Sequence, residues 1–306
     1  MNSSNFCHEG KILEESKIYV ELKKCLNFSA LFMLTIGYSV GAGLVSYIGK
    51  KIDLQIFLLG LMIVLLFNLT EEILVCFFKY NDAFLSKRSR KTYILKNSFL
   101  VLSFSILTIG AIFSVLLYSI STFGLIFWIF LGIFFTILFL YSVPPFNFKK
   151  KGFGDFLIAI CVIAVSPAFA MVLQQNEIHT TLFFITFPAF FLLLSYFLSQ
   201  TLENYYLDLK SQNHTLLTKF GWKTGMNLHN IFLLTTYLLY GLASIIGLSG
   251  KLSLPALVSF PVAVLQFWEM WRISEGYKPR WKLLQLSSMG AISILAYFFL
   301  FILWLR

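Results

Sequence analysis

The chain alternates between long apolar runs and short polar connections. Nine runs reach the roughly 20 apolar residues that a membrane-crossing helix needs: 27–49, 54–78, 98–118, 120–142, 155–174, 181–203, 226–249, 253–271 and 285–305. Helices are predicted because only a helix, among open structures, satisfies its own backbone groups in hydrocarbon. The stretch 98–142 is too long for one crossing, so a tight turn is expected between Ser119 and Gly124. Residues 1–26 mix acids and bases without an apolar core. They predict a cytoplasmic extension ahead of a membrane domain at 27–306, and no cleavable signal peptide. The fold class expected is all-α: a polytopic membrane helical bundle of nine transmembrane helices.

Composition excludes a water-soluble alternative. Hydrophobic residues make up 58% of the chain and charged residues 12%, against about 25% charged in an ordinary globular domain. So few charges cannot cover a water-facing surface without large apolar patches. The net charge of +10 would suit nucleic acid, but the positions of the bases point elsewhere. With the N-terminus cytoplasmic, every Lys and Arg falls on the cytoplasmic side except Lys50, Lys51, Lys251 and Arg306. That asymmetry predicts N-in and C-out, orients the chain in the bilayer and removes the need for a nucleic-acid partner. The two largest connections, 79–97 and 204–225, are then cytoplasmic, so chemistry is expected at that face. Cys7, Cys25, Cys76 and Cys161 form no CxxC pair, and free thiols without a disulfide framework are expected.

Acids and amides interrupt the apolar pattern at two places. Asn68, Glu71 and Glu72 sit within the second run. A carboxylate inside the bilayer costs on the order of 3 kcal/mol on insertion scales. Helical spacing places these residues on neighbouring positions of one face. Glu203, Asn204 and Asp208 close the sixth run, with Asn204 and Asp208 again four apart. The two clusters lie four spans apart, so both face the same side. Oxygen ligands opposed at one surface suit a hard cation such as Mg²⁺, and nearby lysines suit phosphate.

Two stretches then carry a resemblance to the UbiA superfamily of membrane prenyltransferases. Tyr141-Ser-Val-Pro-Pro-Phe-Asn-Phe-Lys149-Lys-Lys-Gly-Phe-Gly-Asp155 is similar to the family's tyrosine-serine-x-proline-proline segment with its basic residues and glycines. Asn204-Tyr-Tyr-Leu-Asp208, continuing through Lys210 and Thr215-Leu to Lys219-Phe-Gly221, resembles its second aspartate motif. The resemblance implies helices around a central cavity open to lipid, and two aspartate motifs whose Mg²⁺ ions bridge to an isoprenoid diphosphate. It further implies transfer of the isoprenoid to a small lipophilic, aromatic acceptor. Glu72 and Asp208 take the main catalytic and metal-binding positions, with Asn68 and Asn204 as further metal ligands. Lys79, Lys149 and Lys210 are the diphosphate-binding positions, and Tyr141 a substrate-binding one. In the family's frame Asn68, Glu72 and Cys76 stand in the first motif, and Asn204 and Asp208 in the second. Two of the four expected aspartates are therefore carboxylates here, with Glu71 and Glu203 one residue off the frame. Two alternatives keep the fold: a non-catalytic protein that binds a lipid or partner, and a terpene cyclase. His229, Asn230, Gln266 and Glu269 read as interhelical hydrogen-bonding residues, Trp268, Trp271 and Trp281 as an interfacial belt, and Gly37, Gly41 and Gly43 as packing glycines.

Overall fold

A computed structural model describes residues 22–23, 25–86, 90–121, 123–211 and 214–305. Lys87, Arg88, Asn213 and most of the 1–26 extension lie outside the described residues. From Phe28 onward the described residues form twelve α-helices: α1 Phe28–Tyr47, α2 Leu54–Ser86, α3 Arg90–Ile120, α4 Leu125–Ser142, α5 Gly154–Ile160, α6 Ser166–Gln175, α7 Thr180–Leu202, α8 Tyr205–Lys210, α9 Leu216–Phe220, α10 Trp222–Ile246, α11 Gly250–Ser274 and α12 Trp281–Trp304. A π-helical turn, Cys161–Val165, joins α5 to α6, so Gly154–Gln175 crosses as one span. Among the described residues, 9 helices or joined helices are long and apolar enough to cross a membrane. The chain is an integral, multi-pass membrane protein.

The turn expected within 98–142 is present, with α3 ending at Ile120 and α4 starting at Leu125. The second and third helices are longer than the apolar runs. α2 continues to Ser86 and α3 begins at Arg90, because a helix does not stop where hydrophobicity stops. Lys79-Tyr-Asn-Asp-Ala-Phe holds no glycine or proline to end it, and α3 packs along α2 over most of their lengths.

α11 pairs with α12, α10 with α7, and α1 with both α6 and α12. The fifth span is the most buried of all. Glycines set its contact with α1, as expected. A Cβ at Gly37 would lie 2.1 Å from the Val162 carbonyl oxygen, and one at Gly41 2.0 Å from that of Pro167. Gly43 gives similar room to the Trp304 ring on α12.

One expectation about the cysteines is corrected. Cys25 and Cys76 form a disulfide with Cα atoms 6.1 Å apart. Their sequence separation of 51 hid the pair from a reading of spacing, since the packing of the segment before α1 against α2 creates it. Cys161 is a free, buried thiol, as expected.

Candidate functional site

The site begins with the acids of α2. Asn68, Glu71 and Glu72 are all buried. Helical rotation separates the two glutamates by about 100°, and they meet different neighbours. The Asn68 amide approaches Glu71 at 3.5 Å, and its own carbonyl oxygen has no partner. Asn68 therefore leans to Glu71 rather than to Glu72. Glu72 instead accepts a hydrogen bond from the Tyr141 hydroxyl at 3.1 Å.

Tyr141 is fully buried near the end of α4, where Val143 in extended conformation stops the helix. The chain then turns through a cis Pro144–Pro145 bond. It returns so that the Lys149 N–H donates to the Tyr141 carbonyl at 3.2 Å. That return puts the Lys149 ammonium 5.5 Å from the centre of the Tyr141 ring. Gly154, at the start of α5, makes the approach possible. A Cβ there would meet Lys149 Cδ at 2.9 Å and Tyr141 Cε2 at 3.4 Å.

Asp155 follows Gly154 and was assigned no role from sequence. Its carboxylate is in electrostatic range of Lys149 and Asp208, and Glu72 is in range of Lys149 and Asp155. Gly152 adds a second tie, because a Cβ there would sit 2.9 Å from the Thr215 carbonyl oxygen. The Tyr141 stretch and the Asn204 stretch are thus packed together. The sequence signal for Asp155 was an acid directly after a glycine at the opening of a span.

The second acid cluster differs from its expected geometry. α7 ends at Leu202, and Asp208 belongs to the separate short helix α8. Asn204 is exposed and precedes α8 without a side-chain cap. Asp208 is half-buried. Glu203 accepts from the Gln285 amide at 2.8 Å, so it is tied to α12 and is no substitute ligand. Cys76, in the first motif's frame, is committed to Cys25. Lys79 and Lys210 are exposed, whereas Lys149 is half-buried within the cluster. Lys150 bridges to Asp82 at 2.8 Å, linking the loop to the projecting end of α2. Thr215 caps α9 through the Thr218 N–H, and Lys219 lies over the Phe153 ring.

The resemblance implied metal-binding acids. Among the described residues, no three His, Cys, Asp or Glu side chains stand close enough together to hold a metal ion. Glu72 is bound by a phenol, Cys76 is a disulfide sulfur and Asn68 faces Glu71. The donors of the first motif do not fit a Mg²⁺ site of the kind the resemblance implied.

An apolar cleft lies between α1, the fifth span, α7 and α12, lined among others by Ser29, Val40, Val162, Tyr196, Met289 and Phe299. From Ser29 to Val40, at about 1.5 Å per residue, it runs about 16 Å. Phe32 and Met289, both exposed on the bundle surface, form its mouth. The other polar residues noted in the sequence are structural. His229 and Gln266 meet across α10 and α11 at 2.7 Å. Glu269 is buried in a pair with Arg280 and Arg272. Trp268 and Trp271 are exposed at the same end, and Trp281 packs on Trp222.

No protein-family model matches the sequence, and no curated protein sequence matches it. Solved structures do. The chain is similar to a digeranylgeranylglyceryl phosphate synthase studied in membranes, at TM-score 0.66 and 18% identity, covering 95% of this chain and 99% of that one. It is also similar to a UbiA homologue from Archaeoglobus fulgidus bound to GPP and Mg²⁺, at TM-score 0.54 and 17% identity, covering 91% and 96%. The same homologue bound to DMAPP and Mg²⁺ aligns at TM-score 0.53 and 16% identity over 91% and 96%.

Proposed function

We propose that this chain, which has the UbiA fold, is a membrane prenyltransferase. It transfers an isoprenoid group from its diphosphate to a small lipophilic, aromatic acceptor. The observation that carries this reading is the convergence of Glu72, Tyr141, Lys149, Asp155 and Asp208 from four separate segments at one end of an otherwise apolar bundle. A polar cluster in a bundle that also carries an apolar, lipid-facing cleft suits a substrate with an anionic head and a hydrocarbon tail. The UbiA homologue of the same fold binds GPP and DMAPP.

In this reading the diphosphate lies against Lys149, with the exposed Lys79 and Lys210 drawing it in from solution. The bond between the allylic carbon and the diphosphate oxygen breaks, and Lys149 stabilises the charge that develops on the leaving group. The buried surroundings keep water from the cation. The acceptor's ring carbon bonds to the allylic carbon, and Asp208 takes the proton released. Glu72 and Tyr141 position Lys149. Because the first motif's donors do not fit a metal ion, no step here depends on one. The charge asymmetry supports placing this end in the cytoplasm.

The test is pyrophosphate release by the purified chain in nanodiscs, using isoprenoid diphosphates of several lengths and a panel of lipophilic phenols. Release should require an acceptor. Lys149→Ala and Asp208→Asn should each slow it by about a hundredfold or more. No release across the whole panel, together with Glu72→Ala and Asp208→Ala having no effect in cells, would overturn the reading.

A second reading uses the same site for binding without turnover. The commitment of Cys76 to a disulfide and of Glu203 to Gln285 favours it. Donor binding without release, in single-turnover conditions, would select it.

A further inference from the structure

Four basic residues, Arg272, Lys278, Arg280 and Lys282, gather at the connection between α11 and α12, where the diphosphate cluster has no member. We infer that this connection binds the phosphate of an anionic phospholipid, with Arg272 and Arg280 as its ligands.

Local structure brings the two arginines together. α11 ends at Ser274, and Gly276 takes the left-handed φ of +88° that lets the chain double back. The Gly276 N–H donates to the Ile273 carbonyl and the Tyr277 N–H to that of Arg272, each at 3.1 Å. This return sets the Arg272 guanidinium 5.4 Å from the centre of the Tyr277 ring. It also carries the chain to Arg280, which opens α12. Glu269, inside α11 and buried, draws both guanidiniums to one place. Its Oε1 accepts from Arg272 Nη1 at 3.4 Å and from Arg280 Nη2, and its Oε2 accepts from Arg280 Nε at 3.1 Å. Both guanidiniums lie over the same Trp268 ring, 5.0 and 5.3 Å from its centre.

The unused donors face outward. A guanidinium has five N–H donors. Glu269 takes one from Arg272 and two from Arg280. The arginine side chains stay 25% and 47% exposed, so the remaining edges are open to a ligand. One carboxylate cannot neutralise two guanidiniums, and guanidiniums held in fixed planes match phosphate oxygens. Their depth fits a lipid phosphate. Trp268, Trp271 and Tyr277 are exposed around them, and such rings at the end of a spanning helix sit at the head-group level. Lys278 and Lys282 are exposed beside them. Residues 269–282 thus set four bases against two acids, Glu269 and Glu275. That excess favours a lipid of net negative charge over a zwitterionic one.

The experiment is calorimetric titration of the full chain in an uncharged detergent with dioctanoyl phosphatidylglycerol, dioctanoyl phosphatidylcholine and inorganic phosphate. The glycerol lipid should bind about tenfold or more tightly than either of the others. It should also protect the backbone of residues 275–280 from hydrogen exchange in the wild type. Glu269→Gln, Arg272→Gln and Arg280→Gln made together leave no buried charge unpaired, and should reduce the preference to about threefold or less. Arg272→Lys with Arg280→Lys keeps both charges but loses the planar forks, and should weaken lipid binding by about threefold or more. Equal binding of the two lipids overturns the inference. So does protection confined to other segments, or binding undiminished in either variant. Inorganic phosphate that binds as tightly as the glycerol lipid assigns the arginines to a soluble anion and overturns the lipid assignment. Because hydrogen exchange locates the lipid on the wild-type chain, a variant that fails to fold leaves the test decisive. The prenyltransferase reading stands or falls separately.

Discussion

Glu72 is an expensive residue to place where it stands. Its side chain is buried, and a buried carboxylate without partners costs several kcal/mol. The Tyr141 hydroxyl and the Lys149 ammonium offset that cost, each from a segment far away in sequence. Tyr141→Phe removes the hydrogen bond and leaves a carboxylate oxygen unsatisfied. It should destabilise the protein by about 1–3 kcal/mol, measured as a drop in thermal midpoint in detergent. Pairing it with Glu72→Leu should recover part of the loss, since an apolar pair leaves no orphaned acceptor. If the double variant is less stable than the sum of the single effects, the contact is not what holds these residues. Gly152 offers a second test. Its φ of +86° and its contact with Thr215 exclude a side chain, so Gly152→Ala should cost about 1–3 kcal/mol and loosen the packing of the two motif stretches. Protease accessibility at residues 205–220 would report the loosening. At this scale the sequence showed which residues were out of place in an apolar run. It did not show their partners. Glu71 and Glu72 look equivalent in sequence, and only the 100° between them on α2 sends one to Asn68 and the other to Tyr141.

The elements carry a different lesson. Hydrophobic runs mark where a helix must be buried in lipid, and nine of them correspond to the nine crossing segments. They do not mark where a helix ends. α2 projects past its apolar run, and that projection carries Asp82, which meets Lys150. Asn204 and Asp208 keep the expected i, i+4 relation, with the Asp208 N–H donating to the Asn204 carbonyl at 2.8 Å, but they do not continue the sixth span. The chain breaks at Glu203–Asn204 and restarts as α8, and no proline or glycine announces the break. The disulfide is the element-scale feature most open to measurement. A crosslink across 51 residues stabilises by at most about 4 kcal/mol in the chain-entropy description. Peptide mass spectrometry after alkylation in denaturant should find Cys25 and Cys76 unmodified until reductant is added. Alkylation of both before reduction would show that they are thiols. Gly41→Leu tests the helix contacts. With the Pro167 carbonyl 2.0 Å from the added Cβ, α1 cannot stay seated on the fifth span. The variant should lose the monodisperse peak in size-exclusion chromatography.

For the whole molecule, an odd number of crossings predicts that the two ends of the membrane domain lie on opposite faces, and the lysines and arginines predict which is which. A reporter active only outside the cytoplasm should be active when fused after Leu305 and inactive when fused after Lys150. The reverse pattern would invert the orientation. The same assay bears on the disulfide, because the charges assign that end of the bundle to a compartment that normally keeps thiols reduced. Most of this large-scale plan is written in the sequence. The cost of burying polar backbone and charge in hydrocarbon is paid locally, residue by residue. Crossing number, helical class and the uneven spread of basic residues therefore need no tertiary information, and the two stretches that resemble UbiA prenyltransferases are local as well. What only the tertiary structure decided is which of the scarce polar groups meet. Tyr141 on Glu72, Cys25 on Cys76, and Glu203 on Gln285 are contacts between segments far apart along the chain. They follow from how helices of fixed pitch pack and where loops return, and no local pattern encodes that. The acids alone suggested a metal site, and the fold set a lysine among them.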